Sequence, residues 1–250
     1  MIGPIALHGG GEFLSGDEPF LEALLEAAAG IAAMRGASEP IRIAVVPTAA
    51  AGHNPSAAAA LGNAAFERVA SSTAHPTTIE TAMVVDAASA GDEAIAVRLS
   101  GADLIYFPGG DPRLIPSIIP GTVAWQAVLD ARGSGAVLAG ASAGAMALGR
   151  LTWTQSGVVA GLGLVPGIVV FPHADERSWR GRADWFPMAA AIGVGILGLG
   201  ERTGIVSDPT GDDAPSRSWR VVGEAEVRWL APGAPEPRVL RSGERLDLPG

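Results

Sequence analysis

The chain of 250 residues contains no cysteine, and all 17 of its basic residues are arginine, so it contains no lysine either. The first absence excludes a thiol nucleophile, disulfides, iron–sulfur clusters and cysteine-bound zinc. The second excludes a P-loop lysine, a pyridoxal Schiff base and a Ser–Lys dyad. Aromatic residues are scarce at 5%, with Tyr106 the one tyrosine, and histidine occurs at positions 8, 53, 75 and 173. Nucleophilic chemistry therefore falls to Ser, Thr, Asp or Glu assisted by one of four imidazoles. Those imidazoles lack metal-ligand spacing such as H-x-x-x-H, so no metal or other cofactor is expected.

The formal charge of -9 disfavours nucleic acid and anionic membrane surfaces as partners. The apolar run Pro187–Gly200 is too short and glycine-rich to span a bilayer. No basic segment precedes the first apolar residues in the manner of a signal peptide. The expectation is a cytoplasmic protein with a small molecule as its partner; monomer and homodimer are both open.

Over the first 140 residues, apolar strand-like runs alternate with alanine-rich helical stretches. Strands are expected at Ile5–His8, Ile41–Pro47, Thr81–Val85, Asp103–Phe107 and Ala136–Ala139. Helices are expected at Glu18–Met34, Ser56–Val69, Asp92–Leu99, Val123–Ala131 and Ala143–Leu148. Strands apolar throughout and separated by helices imply a mostly parallel sheet covered on both faces, a flavodoxin-like three-layer α/β sandwich. Beyond Arg150, short strands are expected at Leu151–Val159, Ile168–Phe171, Gly195–Leu199 and Thr203–Val206, around a helix near Ala183–Ile192. Arg217–Leu230 reads as a β-hairpin closed by the proline-rich stretch 231–237. One domain spans 1–250, with a core at 3–207 and a hairpin and tail at 208–250.

Gly140-Ala141-Ser142-Ala143-Gly144 stands between a strand and a helix, the context of a G-x-S-x-G nucleophile elbow. The turn is tight, so small neighbours on both sides of Ser142 are required, and all four are Gly or Ala. The helix start puts the Ala143 N–H beside the reacting carbonyl. Pro108-Gly109-Gly110-Asp111 ends the neighbouring strand at the edge where open α/β sheets bind ligands. His173 is the one histidine after Ser142 and follows a strand, which makes it the candidate base. His8-Gly9-Gly10-Gly11 imitates the oxyanion segment of lipases, but an α/β-hydrolase needs an acid between Ser and His, and residues 143–172 contain none.

These pieces resemble the serine peptidase family of dipeptidase E, which cleaves after N-terminal aspartate, and cyanophycinase, which cleaves β-aspartyl-arginine. The matching segments are Gly9–Gly11, FPGGD at Phe107–Asp111, GASAGAMAL at Gly140–Leu148, GLGLVPGIVVFPH at Gly161–His173 and LGLGERTGIV at Leu197–Val206. The resemblance implies a class I glutamine amidotransferase-like fold with serine in place of the thiol. It implies Ser142 as nucleophile, His173 as general base, and Gly110 and Ala143 as oxyanion donors. Gly109 and Asp111 would flank the substrate, and Arg177 or Arg182, with Arg180 between them, would meet a substrate carboxylate. Glu201 aligns with an acidic position of the family and is the first choice to orient His173. Asp175, Glu176, Asp184 and the neutral Gln155 are further candidates. Phe171-Pro172 replaces the Asp-Gln pair that precedes the histidine in cyanophycinase-like members. The expected activity is hydrolysis of short aspartyl or β-aspartyl peptides. An amidase or esterase on the same site, and a non-catalytic binding protein of this fold, are the alternatives.

Overall fold

A computed structural model describes residues 1–36, 40–73, 75–154, 157–182, 184–211 and 218–249. The first half runs β1 (Ile5–His8), α1 (Glu18–Met34), β2 (Ile41–Val45), α2 (Pro55–Ser72), β3 (Thr77–Thr81), α3 (Ala87–Ala90), α4 (Glu93–Ser100), β4 (Leu104–Phe107), α5 (Leu114–Ile118), α6 (Val123–Gly133), β5 (Val137–Ala141) and α7 (Ala143–Leu148). The second half runs β6 (Gly149–Thr154), β7 (Gly157–Ala160), β8 (Val165–Phe171), α8 (Glu176–Arg180), α9 (Trp185–Ala191), β9 (Gly195–Leu199), β10 (Thr203–Ser207), β11 (Ser218–Gly223), β12 (Val227–Leu230), β13 (Arg238–Leu240) and β14 (Arg245–Asp247).

The strands form two sheets. One has eight strands in the order β14-β11-β10-β1-β5-β4-β2-β3, and the other six in the order β13-β12-β9-β8-β6-β7. Within the larger sheet β1 to β5 are mutually parallel, and β10, β11 and β14 add antiparallel at the β1 edge. Side chains alternate between faces along a strand, and the core divides accordingly. Ala6, Ile43, Val45, Tyr106 and Ala139 pack with α1 and α2 on one face. Ile5, Leu7, Ala44, Ile105, Phe107 and Leu138 pack on the other with α4, α6, α7 and the second sheet. Both faces are covered, which is why these strands read as unbroken apolar runs.

β1 and β5 are parallel neighbours whose connections leave on opposite faces, α1 to one and α7 to the other. Such a switch point opens a crevice at the C-terminal strand ends. The loops Gly9–Asp17 and Ser142–Ala143 face each other across it, and the Ser142 N–H donates to the His8 carbonyl at 2.9 Å.

Several expected elements differ. The third strand is Thr77–Thr81 rather than Thr81–Val85, since Ala82 and Val84 are buried beyond its end, where the Val84 carbonyl accepts the Thr48 hydroxyl. Leu151–Val159 is the hairpin β6–β7, with positions 155–156 outside the described residues. Arg217–Leu230 is not a hairpin: β11 pairs with β10 in the larger sheet and β12 with β9 in the smaller. Arg217 itself, like Ala183 at the start of an expected helix, lies outside the described residues. No helix among the described residues is long and apolar enough to cross a membrane.

Leu7 is fully buried on the central strand β1. Leu7→Ala should lower unfolding free energy by about 2–5 kcal/mol in urea titration. Val158→Ala, on the exposed strand β7, should change it by less than about 0.5 kcal/mol.

Candidate active site

The chain leaves β5 through Ser142, which adopts φ 47° and ψ −112° ahead of α7. Small neighbours are obligatory there: a Cβ on Gly144 would lie 2.1 Å from the Phe107 carbonyl oxygen, and one on Gly140 2.5 Å from the Gly144 carbonyl carbon. His173 follows β8 with φ 53°. Its N–H donates to the Gly9 carbonyl at 2.8 Å, and its own carbonyl accepts the Ser178 hydroxyl at 2.8 Å. Glu201 stands in the turn from β9 to β10, next to Arg202 at φ 52°, whose N–H donates to the Gly10 carbonyl at 2.8 Å.

These backbones bring three side chains into a relay. Ser142 Oγ is 3.1 Å from His173 Nε2, and His173 Nδ1 is 3.0 Å from Glu201 Oε1. With a neutral imidazole, one tautomer satisfies both contacts. Nδ1–H donates to the carboxylate, and the Nε2 lone pair accepts the serine O–H. His173 and Glu201 are about half exposed, at 49% and 53%. An ion pair so wet contributes little to stability, so the backbone must hold the relay.

Gly10 shows how. It has φ +104°, and a Cβ there would fall 2.2 Å from His173 Cε1, so the imidazole occupies the space that a side chain at this position would need. Below, the Gly10 N–H donates to His8 Nδ1 at 3.3 Å, and His8 Nε2 lies 2.9 Å from Asp17 Oδ1, both side chains fully buried. Asp17 Oδ2 accepts the Phe13 N–H at 2.8 Å. The His-Gly-Gly-Gly run thus builds a seat for His173, a role that its likeness to a lipase segment concealed.

Of the other sequence candidates, Gly110 and Ala143 both present N–H groups that donate to no acceptor among the described residues. The Gly109 N–H is taken by Glu12 Oε1 at 2.8 Å. Asp111 is gripped by Arg113, through Nε at 3.0 Å and Nη2 at 2.5 Å, and that hydrogen-bonded guanidinium holds its carboxyl below the usual range. Asp175 caps α8 by accepting the Ser178 N–H, and Glu176 pairs with Arg180. Asp184 is exposed at the start of α9, and Gln155 lies outside the described residues. Of the four acids, Glu201 is the one that reaches His173.

A cavity of about 600 Å³ opens beside His173 and Gly110. Asp111, Arg113, His53 and Ser178 supply its polar lining, and Met146, Trp153, Val170, Phe171, Pro172 and Trp185 its apolar wall. Arg182 lines it too, its guanidinium 4.4 Å above the Trp185 ring, whereas exposed Arg177 does not. Trp153, Phe171, Trp179, Trp185 and Phe186 form a continuous chain of ring contacts. Three of these rings, Trp153, Phe171 and Trp185, line the cavity, and Trp179 and Phe186 extend the cluster beyond it. Sequence reasoning missed Arg113, His53 and Glu12; the one available signal was the position of Arg113, two residues after the glycine pair and Asp111. Among the described residues no three His, Asp or Glu side chains gather in a metal-binding group.

A family model described as Peptidase family S51 matches residues 7–208. Among solved structures, a peptidase from an acI-B1 Actinobacterium is 26% identical and superposes with a TM-score of 0.76, over 99% of this chain and 97% of that one. A putative peptidase E protein from Listeria monocytogenes EGD-e shares the fold at 15% identity and a TM-score of 0.56, over 90% of this chain and all of that one. No curated protein matches the chain.

Gly10→Ala would drive a methyl into the imidazole seat. We expect the variant to fold, by circular dichroism, and its Ser142 to react with a fluorophosphonate about 100-fold more slowly than wild type, the scale of a 1 Å misplacement.

Proposed function

Since the chain belongs to peptidase family S51 and is a serine-type peptidase, we propose that it hydrolyses short aspartyl or β-aspartyl peptides through an acyl-enzyme on Ser142. The observation that carries this reading is the unbroken contact from Ser142 Oγ through the His173 imidazole to Glu201. A non-catalytic member of the fold would have no reason to keep it.

In the proposed reaction His173 Nε2 takes the serine proton as Oγ attacks the scissile carbonyl carbon. Glu201 stabilises the imidazolium through Nδ1–H. The carbonyl oxygen becomes an oxyanion that receives the Gly110 and Ala143 N–H groups, each such donor worth roughly 3–4 kcal/mol in the transition state. The supporting observation is that both donors are otherwise unused. His173 then passes its proton to the leaving amine as the C–N bond breaks. Water, deprotonated by the same nitrogen, releases the acid and regenerates Ser142.

For the substrate carboxylate we assign Arg182. No carboxylate among the described residues pairs with it, and stacking on Trp185 presents it at the cavity. Arg113 is already engaged by Asp111. A guanidinium fork matches a carboxylate in two parallel hydrogen bonds. Phe171 and Pro172 in the lining support an apolar subsite where cyanophycinase-like relatives carry polar residues. The partner is then a small peptide, and a cysteine-free chain accords with a cytoplasmic setting.

Ser142→Ala should lower kcat on aspartyl dipeptides by several orders of magnitude, approaching ~10⁶ as in comparable triads. Turnover at the wild-type rate would eliminate the mechanism. Arg182→Ala should raise KM for aspartyl peptides roughly 10-fold or more, with kcat much less affected. Side-by-side assays of α-aspartyl dipeptides, β-aspartyl dipeptides and activated esters establish the bond cleaved.

A further inference from the structure

We propose that the residue released by the cleavage carries a large apolar side chain, and that the aromatic wall beside His173 selects it. The inference deepens the reaction proposed above for Ser142 and rests on it. The cavity of about 600 Å³ has the size of small-molecule pockets, which are mostly apolar with a few placed polar groups. It is lined by His173, the proton carrier, and by Gly110, an oxyanion donor, so it is continuous with the reacting centre. Met146, Trp153, Val170 and Phe171 are buried residues of its wall. The rings brace one another edge to face, Trp153 on Trp185 at 4.0 Å and Phe171 on Trp185 at 5.8 Å between centroids. The wall is therefore shaped before a substrate arrives, and an apolar group placed on it need not order the rings first.

The chemistry decides which half of the substrate meets this wall. An aspartyl group is short and charged, and moving its carboxylate from water onto rings is costly. In an aspartyl dipeptide the other residue is the one that can be large and apolar. Proton transfer leads to the same half. His173 passes its proton to the leaving amine, which brings that nitrogen to Nε2, and the carbon bonded to the nitrogen bears the released residue's side chain. Phe171 and Pro172, which precede His173 in the chain, are part of the wall.

The charges of the lining sharpen the selection. The Ser178 hydroxyl donates to the carbonyls of His173 and Asp175. Asp111, the one acid among the described lining residues, is gripped by Arg113. Arg182 adds a second guanidinium, stacked on Trp185. A cationic side chain would meet two like charges there and an acid already committed. A glutamate side chain would meet Arg182 but would lose water to the rings around it. A phenyl or isobutyl group suits the wall without either penalty.

The experiment compares α-aspartyl dipeptides ending in phenylalanine, alanine, arginine and glutamate, with their β-linked counterparts, and follows fluorophosphonate labelling of Ser142. We expect kcat/KM for the phenylalanine peptide to exceed that of each of the other three by about 10-fold or more, the scale on which apolar pockets discriminate. Any other ranking overturns the proposal. Trp185→Leu should lower the phenylalanine-over-alanine ratio about 10-fold, and Trp153→Phe should lower it if the first variant fails to fold by circular dichroism. A ratio that survives in the folded variant overturns the role of the wall. Should none of these peptides turn over, protection of Ser142 from labelling decides. Protection by the phenylalanine peptide at lower concentration than by the others supports the apolar subsite, and equal or absent protection overturns it. A wild-type Ser142 that resists labelling altogether sinks the reaction itself, whereas a labelled Ser142 without the expected ranking sinks the role of the wall alone.

Discussion

Two backbone hydrogen bonds to the glycine loop after β1 hold the site together. The Gly9 carbonyl receives the His173 N–H, and the Gly10 carbonyl receives the Arg202 N–H. Ser142 belongs to the larger sheet, while His173 and Glu201 follow β8 and β9 of the smaller one. Loop 9–11 is the seam between them. On the far side of the seam, the Gly9 N–H donates to Thr203 and the Ser142 N–H to His8. Every member of the relay is thus within one or two bonds of the same short loop. This explains why a run with no side chains of its own is needed there: the imidazole occupies the space that a Cβ at Gly10 would fill.

The energetics follow the same division. Non-glycine residues with positive φ cost on the order of 1–3 kcal/mol each and persist where surrounding structure over-determines them. They occur here at Phe13, Ser142, His173 and Arg202, all on or against this loop. The compensating order comes from buried groups: the His8–Asp17 pair under the loop and fully buried Leu7 and Ala6 on β1. The His173–Glu201 contact, half in water, contributes little to the stability of the fold, and its role in the proposed reaction is to orient a proton. A substrate that displaces water from it would strengthen the same contact at the moment it is needed.

Most of the parallel core was legible in the sequence because strands covered on both faces leave unmistakable apolar runs; Ile5–His8 and Glu18–Met34 match their elements end to end. The elbow at Ser142 was legible because its steric demand shows as small residues. What escaped was decided by tertiary packing. Ala82–Val85 is apolar because it is buried, and the edge strand before it alternates instead. The stretch through Gly223 and Val227 has the pattern of a hairpin, yet its turn crosses between sheets next to the β9–β10 turn, where the Ala225 N–H meets Thr203 Oγ1 and the Gly200 N–H meets the Glu226 carbonyl. Local alternation is the same in both cases. Glu12 left no signal because its meaning depends on Gly109, almost one hundred residues away in the chain and adjacent in space.

The absences in composition take on structural sense in this arrangement. With no thiol and no amine base available, the elbow carries a hydroxyl, and its oxygen lies 3.1 Å from His173 Nε2, the contact on which the proposed reaction rests. The most direct test is a crystal structure of the wild-type protein with aspartal, the amino aldehyde that corresponds to the acyl half of an aspartyl dipeptide. The expected result is a bond from Ser142 Oγ to the aldehyde carbon, with the resulting oxygen accepting the Gly110 and Ala143 N–H groups. An aldehyde left unbound, or bound to Ser142 with its oxygen turned away from both N–H groups, would contradict it.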